Sequence, residues 1–344
     1  MTMADIVSFE PDNFGVLQPQ YEPATDPADI ALVENLFGSV VASRLDENAL
    51  HRMVLGSAAS RKFRIESGKR RYFAKIRFGE QGRAILAHER AGARLLSGYG
   101  VPGTATPWDH IFSHGDAYGL LTDYIDGHYF EGHLPQFAPA IDAFVTIARA
   151  LARGPAPRRA DADGLDPRFL GALPGLMQAA VDRGLIEALP VGADETIRRE
   201  LSDIDDAAES RNDVRPLHLD FHPQNLLYAR GKLVAVLDFE WLVPYPAAAG
   251  LGFAIYKLVR QGLSLGVLPI EDARSVVTNW IEAWNAIGLG IAQDRISVRR
   301  GATLRVLFLI WKILDGSLNR NDPTFIADLP KQVRALSEIP RVFA

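Results

Sequence analysis

The stretch HLDFHPQN, residues 218–225, and the stretch LDFE, residues 237–240, decide the fold of this chain. The residues between them predict two apolar strands, 226–228 and 233–238, around a turn at 229–231. Two such strands form a β-hairpin, and a hairpin brings its two ends together. We therefore expect the polar residues that flank the hairpin to meet at one end of it.

Three side chains are placed at that end. Asn225 and Asp238 flank the hairpin and should lie side by side, with Asp220 just upstream. Two hard oxygen ligands suit Mg²⁺, which takes few protein ligands and keeps water or phosphate for the rest, and Asp220 is then free to act as a base. A zinc site built from His218, Asp220 and His222 is the alternative. The chain has no cysteine and no further clustered ligand to support it.

These two stretches resemble the catalytic loop and metal-binding segment of the aminoglycoside phosphotransferase and choline kinase family, relatives of the protein kinases. The family pattern runs roughly H-x-D-x-x-x-x-N, then a hydrophobic strand, then D-x-E or D-x-D. The resemblance implies that Asp220 accepts the proton of an acceptor hydroxyl and that Asn225 and Asp238 hold Mg²⁺. It also implies ATP or GTP as the phosphoryl donor.

The same resemblance implies an α+β, bilobal protein-kinase-like fold. We expect residues 1–123 to form an N-terminal extension and a small antiparallel-sheet lobe that binds the nucleotide. Residues 124–344 are expected to form a larger, mainly helical lobe with the catalytic loop and the acceptor site.

The nucleotide-binding half is visible upstream of the motif. Residues 62–78 alternate in two runs about a turn, which predicts a hairpin. Just before it, Ser57, Ala58 and Ser60 are small residues that let backbone N–H groups approach a phosphate closely. Lys75, in the second strand, resembles the kinase lysine that contacts the nucleotide phosphates.

The helix that follows predicts a partner for this lysine. Glu89 lies within an apolar stripe at helical spacing. The other members of the stripe are Leu86, Ala93 and Leu96. A buried carboxylate needs a cationic partner, so we predict a Lys75–Glu89 ion pair, as in kinase-like folds. Glu80 is the alternative partner.

The segment after this helix, GLLTDYIDG at 119–127, resembles the inter-lobe hinge of the family. By that resemblance, backbone groups from Asp123 to Ile125 hydrogen-bond the adenine. Side chains carry little information at such a position.

Composition agrees with a soluble enzyme and decides little more. The chain has 344 residues, 48% of them hydrophobic, which allows two domains with substantial cores. The formal charge of −5 argues against a nucleic-acid partner or an anionic membrane surface. The lack of cysteine fits a reducing compartment, and the N-terminus lacks a signal-peptide pattern, so we expect a cytoplasmic protein.

The remaining chain predicts helices and three candidate acceptor features. The predicted helices span residues 31–45, 137–154, 172–210, 253–263, 271–287 and 299–315. Trp280, Trp284 and Trp311 either cage a cationic amine or, as we favour, pack in the core. An acidic run at 203–209 either attracts a polyamine or, as we favour, is a solvated helix face. Trp241 and Tyr245 follow Asp238 and could border the acceptor.

Two departures from the family pattern bear on function. Residues 243–251 lack the acid that commonly supports the catalytic loop, and Leu219 replaces the glycine of the common H-G-D string. A nucleotide-binding protein without transfer activity is therefore an alternative. A kinase acting on proteins is a second alternative, and the absence of D-F-G and A-P-E segments argues against it. The acceptor, whether an amino alcohol, a sugar or an aminoglycoside-like compound, stays open.

Overall fold

The structure is a computed structural model of the chain. It describes residues 17–41, 49–54, 60–103, 109–154, 213–314 and 329–344, together with the single positions 175, 179 and 182. Several sequence predictions lie outside these residues: Ser57, Ala58, most of the predicted helices at 172–210 and the acidic run at 203–209.

The N-terminal part is built on an antiparallel six-stranded sheet in the order β1-β2-β3-β4-β6-β5. Its strands are β1 (Tyr21–Pro23), β2 (Leu50–Met53), β3 (Arg61–Ser67), β4 (Arg70–Phe78), β5 (Phe112–His114) and β6 (Ala117–Asp123). Helix α1 (Pro27–Phe37) covers one face, where Phe37, Phe63 and Ile65 are fully buried. Because side chains alternate along a strand, Lys62 and Lys75 point to the opposite face.

Helix α2 (Gly79–Ser97) links this sheet to the segment after the second hairpin. Its stripe of Leu86, Glu89, Ala93 and Leu96 is buried, as the sequence predicts. At Gly92 a Cβ would collide with the side chain of Leu242. The glycine therefore allows α2 to approach the segment 238–242 closely, which brings Glu89 next to Asp238.

The C-terminal part is mainly helical. The α-helices whose bounds fall within the described ranges are α3 (Leu134–Arg153), α4 (Ala247–Ser264), α5 (Ile270–Ala286), α6 (Arg295–Leu314) and α7 (Leu329–Val342). Two small sheets hold the motifs: β7 (His128–Tyr129) with β9 (Leu226–Ala229) and β10 (Lys232–Val236), and β8 (Val214–His218) with β11 (Leu242–Pro246). The predicted hairpin is β9–β10, and it turns at Arg230 and Gly231, which both have positive φ.

The predicted α+β arrangement of an antiparallel-sheet part and a helical part is confirmed. The prediction for the N-terminus was incomplete. Helix α1 begins at Pro27, where Asp26 caps it, and ends at Phe37 rather than at 45. Strands β1 and β2 were not predicted, and they add two strands to the sheet. Among the described residues, no helix combines the length and the apolar character needed to cross a membrane.

Candidate active site

The first two residues of the 218–225 loop are tied to the segment that follows the hairpin. His218 is buried, and its Nε2 lies 3.1 Å from the backbone oxygen of Leu237. The N–H of Leu219 donates to the backbone oxygen of Trp241 at 3.0 Å. Burial lowers the pKa of His218, so its ring is neutral at physiological pH and serves as a link between the two motifs.

Asp220 is held by two neighbours and remains 39% exposed. The amide nitrogen of Asn225 donates to the backbone oxygen of Asp220 at 2.8 Å and to its Oδ2 at 3.2 Å. Nε2 of His222 lies 3.5 Å from its Oδ1. Desolvation opposes ionisation of the Asp220 carboxyl, but His222 outweighs it and lowers the pKa to about 2. Asp220 is therefore ionised at neutral pH and can accept a hydrogen bond from a hydroxyl.

The zinc alternative finds no support in this geometry. His218 uses its Nε2 on a backbone oxygen, and the ring is fully buried. Within the described part of the chain, the one close set of three possible ligand atoms is formed by Glu89, Asp238 and Glu240. His218, Asp220 and His222 do not form such a set.

The hairpin brings Asn225 and Asp238 to one end, as predicted. The N–H of Leu237 donates to the backbone oxygen of Asn225 at 2.8 Å, which closes the base of the hairpin. Asp238 follows with φ of 61°, a left-handed conformation that is uncommon for a residue other than glycine. Both Asn225 and Asp238 line the cavity described below.

Lys75 lies at the centre of a buried group of carboxylates. Its Nζ donates to Glu89 at 2.9 Å, to Asp238 at 2.8 Å and to Glu240 at 3.0 Å. The predicted ion pair with Glu89 is therefore present. The alternative partner, Glu80, is exposed and accepts instead from the hydroxyl of Tyr118 at 2.6 Å.

The surrounding charges keep Lys75 and Asp238 ionised, whereas burial raises the pKa of the Glu89 carboxyl. Burial alone would lower the pKa of Lys75, but the carboxylates of Asp238, Glu89 and Glu240 outweigh it and raise the pKa above its usual range. Burial would raise the pKa of Asp238, but Lys75 and Lys62 hold it well below its usual range. Lys75 and Asp238 therefore form a charged pair at neutral pH.

The sequence reasoning missed three members of this group. Nζ of Lys62 donates to Oδ2 of Asp238 at 3.3 Å, and Arg77 donates to Glu240 at 2.7 Å. Strand alternation was the available signal. Residues 75 and 77 point to the same face of β4, and Lys62, opposite Lys75 on β3, points to that face as well. Glu240 was visible as the second acid of the D-F-E string but received no role.

A cavity extends from this charged group to the hinge segment. At one end it is lined by Lys75, Glu89, Asn225 and Asp238, and at the other by Thr122, Asp123, Tyr124 and Ile125. Apolar side chains between the two ends include Ala93, Leu120, Leu227 and Val236. The predicted hinge positions Asp123 and Ile125 therefore border the same cavity as Lys75. Ser60 immediately precedes β3 and is not among the lining residues.

The N-terminal segment also borders the cavity, which the sequence did not indicate. Pro19 and Tyr21 are lining residues. The backbone oxygen of Leu17 accepts from the N–H of Tyr129 at 2.8 Å, and the oxygen of Gln20 accepts from Val54 at 3.0 Å. Residues 17–21 thus connect the sheet with the strand that follows the hinge.

The aromatic candidates for the acceptor site are buried or partly buried in the core. Tyr245 is 1% exposed, with its hydroxyl 3.3 Å from Arg305, so the prediction that it borders an acceptor was wrong. Trp241 is partly buried against the main core. Trp280 and Trp284 are buried against Phe144, and Trp311 stacks on Phe308, so the favoured core-packing interpretation is confirmed.

Apolar packing supports the loop where the sequence lacks the expected acid. Leu219, which replaces the usual glycine, is buried. Nearby, Gly250 of α4 lies against Leu217 of β8, and a Cβ there would collide with the Leu217 side chain. The absence of a side chain at Gly250 therefore allows α4 to pack closely against β8 at the start of the loop.

Comparison with known proteins identifies the family of this chain. The sequence profile of the phosphotransferase enzyme family matches residues 52–282, more than half of the chain. No curated protein sequence is similar enough to count as a match.

Solved structures share the fold over most of their length. Amicoumacin kinase, in complex with AMP-PNP, Ca²⁺ and its ligand, is 15% identical with a TM-score of 0.56, covering 92% of this chain and 93% of its own. Spectinomycin phosphotransferase, with ADP and spectinomycin, is 12% identical with a TM-score of 0.58, covering 93% and 100%. Ethanolamine kinase of Plasmodium vivax is 9% identical with a TM-score of 0.57, covering 90% and 87%. At such identities the likeness concerns the fold, whereas the profile match over residues 52–282 shows that this chain belongs to the phosphotransferase enzyme family.

Proposed function

We propose that this protein transfers the γ-phosphoryl group of ATP or GTP to a hydroxyl group of a small molecule, with Mg²⁺ as the metal. One observation carries the proposal. An ionised, partly exposed Asp220 is hydrogen-bonded to Asn225, and Asn225 lines the cavity that holds Lys75 and Asp238. A base, an oxygen ligand pair and a cation for phosphates are thus arranged along one cleft.

Asp220 is the catalytic residue in this proposal. Its carboxylate accepts the hydrogen bond of the acceptor hydroxyl and orients the oxygen toward the γ-phosphorus. It takes the proton as the new P–O bond forms, while the bond from the γ-phosphorus to the bridging oxygen breaks and the nucleoside diphosphate leaves with that oxygen. A pKa of about 2 keeps it unprotonated throughout the physiological range. Asn225 positions it through the two hydrogen bonds from its amide nitrogen.

The ligands proposed for Mg²⁺ are Asn225 and Asp238. The amide nitrogen of Asn225 is used by Asp220, so its oxygen is the atom that remains for a metal. This amide oxygen and the Asp238 carboxylate are hard donors that fit Mg²⁺. The three carboxylates of Glu89, Asp238 and Glu240 already surround the Lys75 ammonium, so we assign that group to lysine binding. When bound, Mg²⁺ neutralises charge on the β- and γ-phosphates.

The nucleotide is proposed to lie along the cavity. Lys75, held by Glu89, contacts its phosphates at the charged end, and backbone amides at Ser57, Ala58 and Ser60 cover them. The base lies between apolar side chains, against the backbone of Asp123 to Ile125. We place the boundary between the two lobes here, with residues 1–123 in the small lobe and 124–344 in the large one.

The acceptor is proposed to be an amino alcohol, a sugar or an aminoglycoside-like compound. The fold is shared with kinases of amicoumacin, spectinomycin and ethanolamine. The absence of cysteine and the acidic net charge fit a cytoplasmic enzyme without a nucleic-acid partner.

Two alternatives differ in what they predict. A nucleotide-binding protein without transfer activity is motivated by the acid missing from residues 243–251, although packing of Gly250 against Leu217 offers other support for the loop. A protein-directed kinase would require a docking site for a polypeptide beside Asp220.

A turnover screen separates these possibilities. Purified protein is incubated with ATP or GTP, Mg²⁺ and a panel of small hydroxyl compounds, and phosphorylated products are detected by mass spectrometry, with Asp220→Asn as the matched control. A product that the Asp220→Asn variant does not form supports the proposal and names the acceptor class. Nucleotide binding without any product across the panel favours the inactive protein, and phosphate transferred only to polypeptides favours the protein kinase.

A further inference from the structure

Two lysines face each other across the hairpin of the small sheet. Lys62 on β3 is directly opposite Lys75 on β4 in the strand register. Both side chains project to the cavity face, and both contact Asp238. Like charges placed directly opposite on neighbouring strands are destabilising, so an anion is needed between them. In this structure Asp238 supplies that anion.

The two lysines differ in how firmly they are held. An ammonium group has three donors, and Lys75 directs its donors to the carboxylates of Glu89, Asp238 and Glu240. The side chain of Lys75 is only 3% exposed. Within the described residues Lys62 has one partner, Oδ2 of Asp238, at the longer distance of 3.3 Å, and its side chain is 19% exposed toward the cavity. Lys62 is therefore the more easily displaced of the two.

We propose that Lys62 is a second phosphate-binding lysine that exchanges partners. Without nucleotide, its ammonium occupies Oδ2 of Asp238, an oxygen that the proposed metal site would use. With nucleotide, it leaves Asp238 and binds a phosphate oxygen beside Lys75. This inference rests on the proposed function, since it assigns a role within the same nucleotide site.

The balance of charge favours such an exchange. The ionic group beside the cavity has three basic side chains, Lys62, Lys75 and Arg77, and three carboxyl groups, those of Glu89, Asp238 and Glu240. A nucleoside triphosphate brings further negative charge next to this group. An unpaired charge in a partly buried site is costly, so the phosphates need a cationic partner. Asp238 keeps Lys75 as a partner when Lys62 leaves, so the exchange does not require a metal ion, and a metal ion on Asp238 would favour it further.

The test compares Lys62→Met with Lys69→Met, an identical change of charge at an exposed position in the turn of the same hairpin. Calorimetry measures binding of a non-hydrolysable ATP analogue without metal. Electron paramagnetic resonance of free Mn²⁺ measures metal binding to the nucleotide-free protein. We expect Lys62→Met to weaken the metal-free nucleotide affinity about tenfold or more, the usual effect of losing a hydrogen bond to a charged group. We expect it also to tighten Mn²⁺ binding, because a competing cation has been removed from Asp238.

A weaker nucleotide affinity together with tighter Mn²⁺ binding distinguishes partner exchange from a structural role of Lys62, which would not tighten Mn²⁺ binding. Lys62→Arg should restore most of the nucleotide affinity, and thermal unfolding verifies that each variant is folded. Unchanged nucleotide affinity in Lys62→Met, relative to Lys69→Met, would overturn the phosphate role. Weaker nucleotide binding with unchanged or weaker Mn²⁺ binding would overturn the exchange. Failure of the wild-type protein to bind nucleotide at all would instead contradict the proposed function and this inference together.

Discussion

Two ionic groups in this molecule, one partly buried and one fully buried, have similar chemistry and different surroundings. The cleft cluster consists of Lys62, Lys75, Arg77, Glu89, Asp238 and Glu240, and four of its members line the cavity. The helical-lobe cluster consists of Tyr256, Arg260 and Glu338. There the guanidinium of Arg260 donates to both oxygens of Glu338, and the Tyr256 hydroxyl donates to the same carboxylate at 2.6 Å.

The difference lies in access to a ligand. Arg260 and Glu338 are 3% and 5% exposed and connect α4 with α7, so the pair is closed to any incoming partner. In the cleft cluster, Asp238 is shared by two lysines and borders a cavity, so its partners can be replaced. A buried ion pair is weak evidence for function by itself, because ion-pair networks with a purely structural role are also common. Contact with the cavity is what separates the two groups.

The largest predicted effect is that of Asp238→Ala in the cleft cluster. We expect it to abolish phosphorylation, because it removes the carboxylate that is proposed to hold Mg²⁺ against the nucleotide phosphates. The protein should remain folded, since Lys75 keeps Glu89 and Glu240 as partners. The measurement is product formation over a Mg²⁺ titration. A variant that responds to Mg²⁺ like the wild type would show that the metal assignment is wrong.

Asp220→Asn should have the next largest effect on turnover. Loss of a general base lowers rates by about 10²–10⁴-fold. The nucleotide affinity should stay near that of the wild type, because Asp220 is not a lining residue of the cavity. Steady-state kinetics and nucleotide binding by calorimetry give the two readings. Near-normal turnover in this variant would remove Asp220 from the catalytic role.

Arg260→Met should lower the free energy of unfolding and leave the nucleotide affinity unchanged. Removing one partner of a buried ion pair costs about 3–5 kcal/mol, because the remaining charge is left buried without a partner. Denaturant unfolding measures the free energy of unfolding, and calorimetry measures nucleotide affinity on the folded protein. The double variant Arg260→Met/Glu338→Leu serves as the control and should recover part of the loss. A large change in nucleotide affinity at constant stability would contradict the comparison between the two clusters.

The sequence predicted those parts of the site that local pattern determines. Asp220, Asn225 and Asp238 could be placed together because a short hairpin separates the motifs. The Lys75–Glu89 pair could be found because helical periodicity showed a carboxylate inside an apolar stripe. In both cases a period of the backbone decides which side chains share a face.

Other parts depended on tertiary contacts that no local pattern records. Strands β1 and β2 have only three and four residues, too few for an alternating pattern to indicate them. The role of Lys62 required the register between β3 and β4 and knowledge of which face borders the cleft. Tyr245 was misplaced because nearness to Asp238 in sequence was given more weight than its buried position on β11.

Glu89→Gln probes the positioning of Lys75 within the cleft cluster. The amide keeps the shape of the side chain but loses the charge that holds the ammonium at 2.9 Å. We expect a loss of about ten- to a hundredfold in kcat/KM, the range for a hydrogen bond between charged groups. Glu80→Gln, an identical change on the exposed first turn of α2, is the control and should leave kcat/KM unchanged. Equal effects of the two variants would show that Glu89 does not position Lys75.

The smallest effect tests whether access to the cavity, rather than charge, is what matters. Tyr21 is an uncharged residue of β1 that lines the cavity and meets Tyr124 edge-to-face at 6.0 Å. If the comparison is right, Tyr21→Ala should behave like a change in the cleft cluster and weaken nucleotide binding. We expect about a two- to tenfold loss of affinity, the range for one aromatic contact.

Tyr99→Ala, at an exposed position after α2, is the control. Calorimetry with ATP and GTP analogues, alongside thermal unfolding, separates the loss of a base contact from a general loosening of the sheet. If Tyr21→Ala lowered the melting temperature and left both nucleotide affinities unchanged, the N-terminal segment would be structural, and the apolar end of the cavity would have to accommodate the base without it.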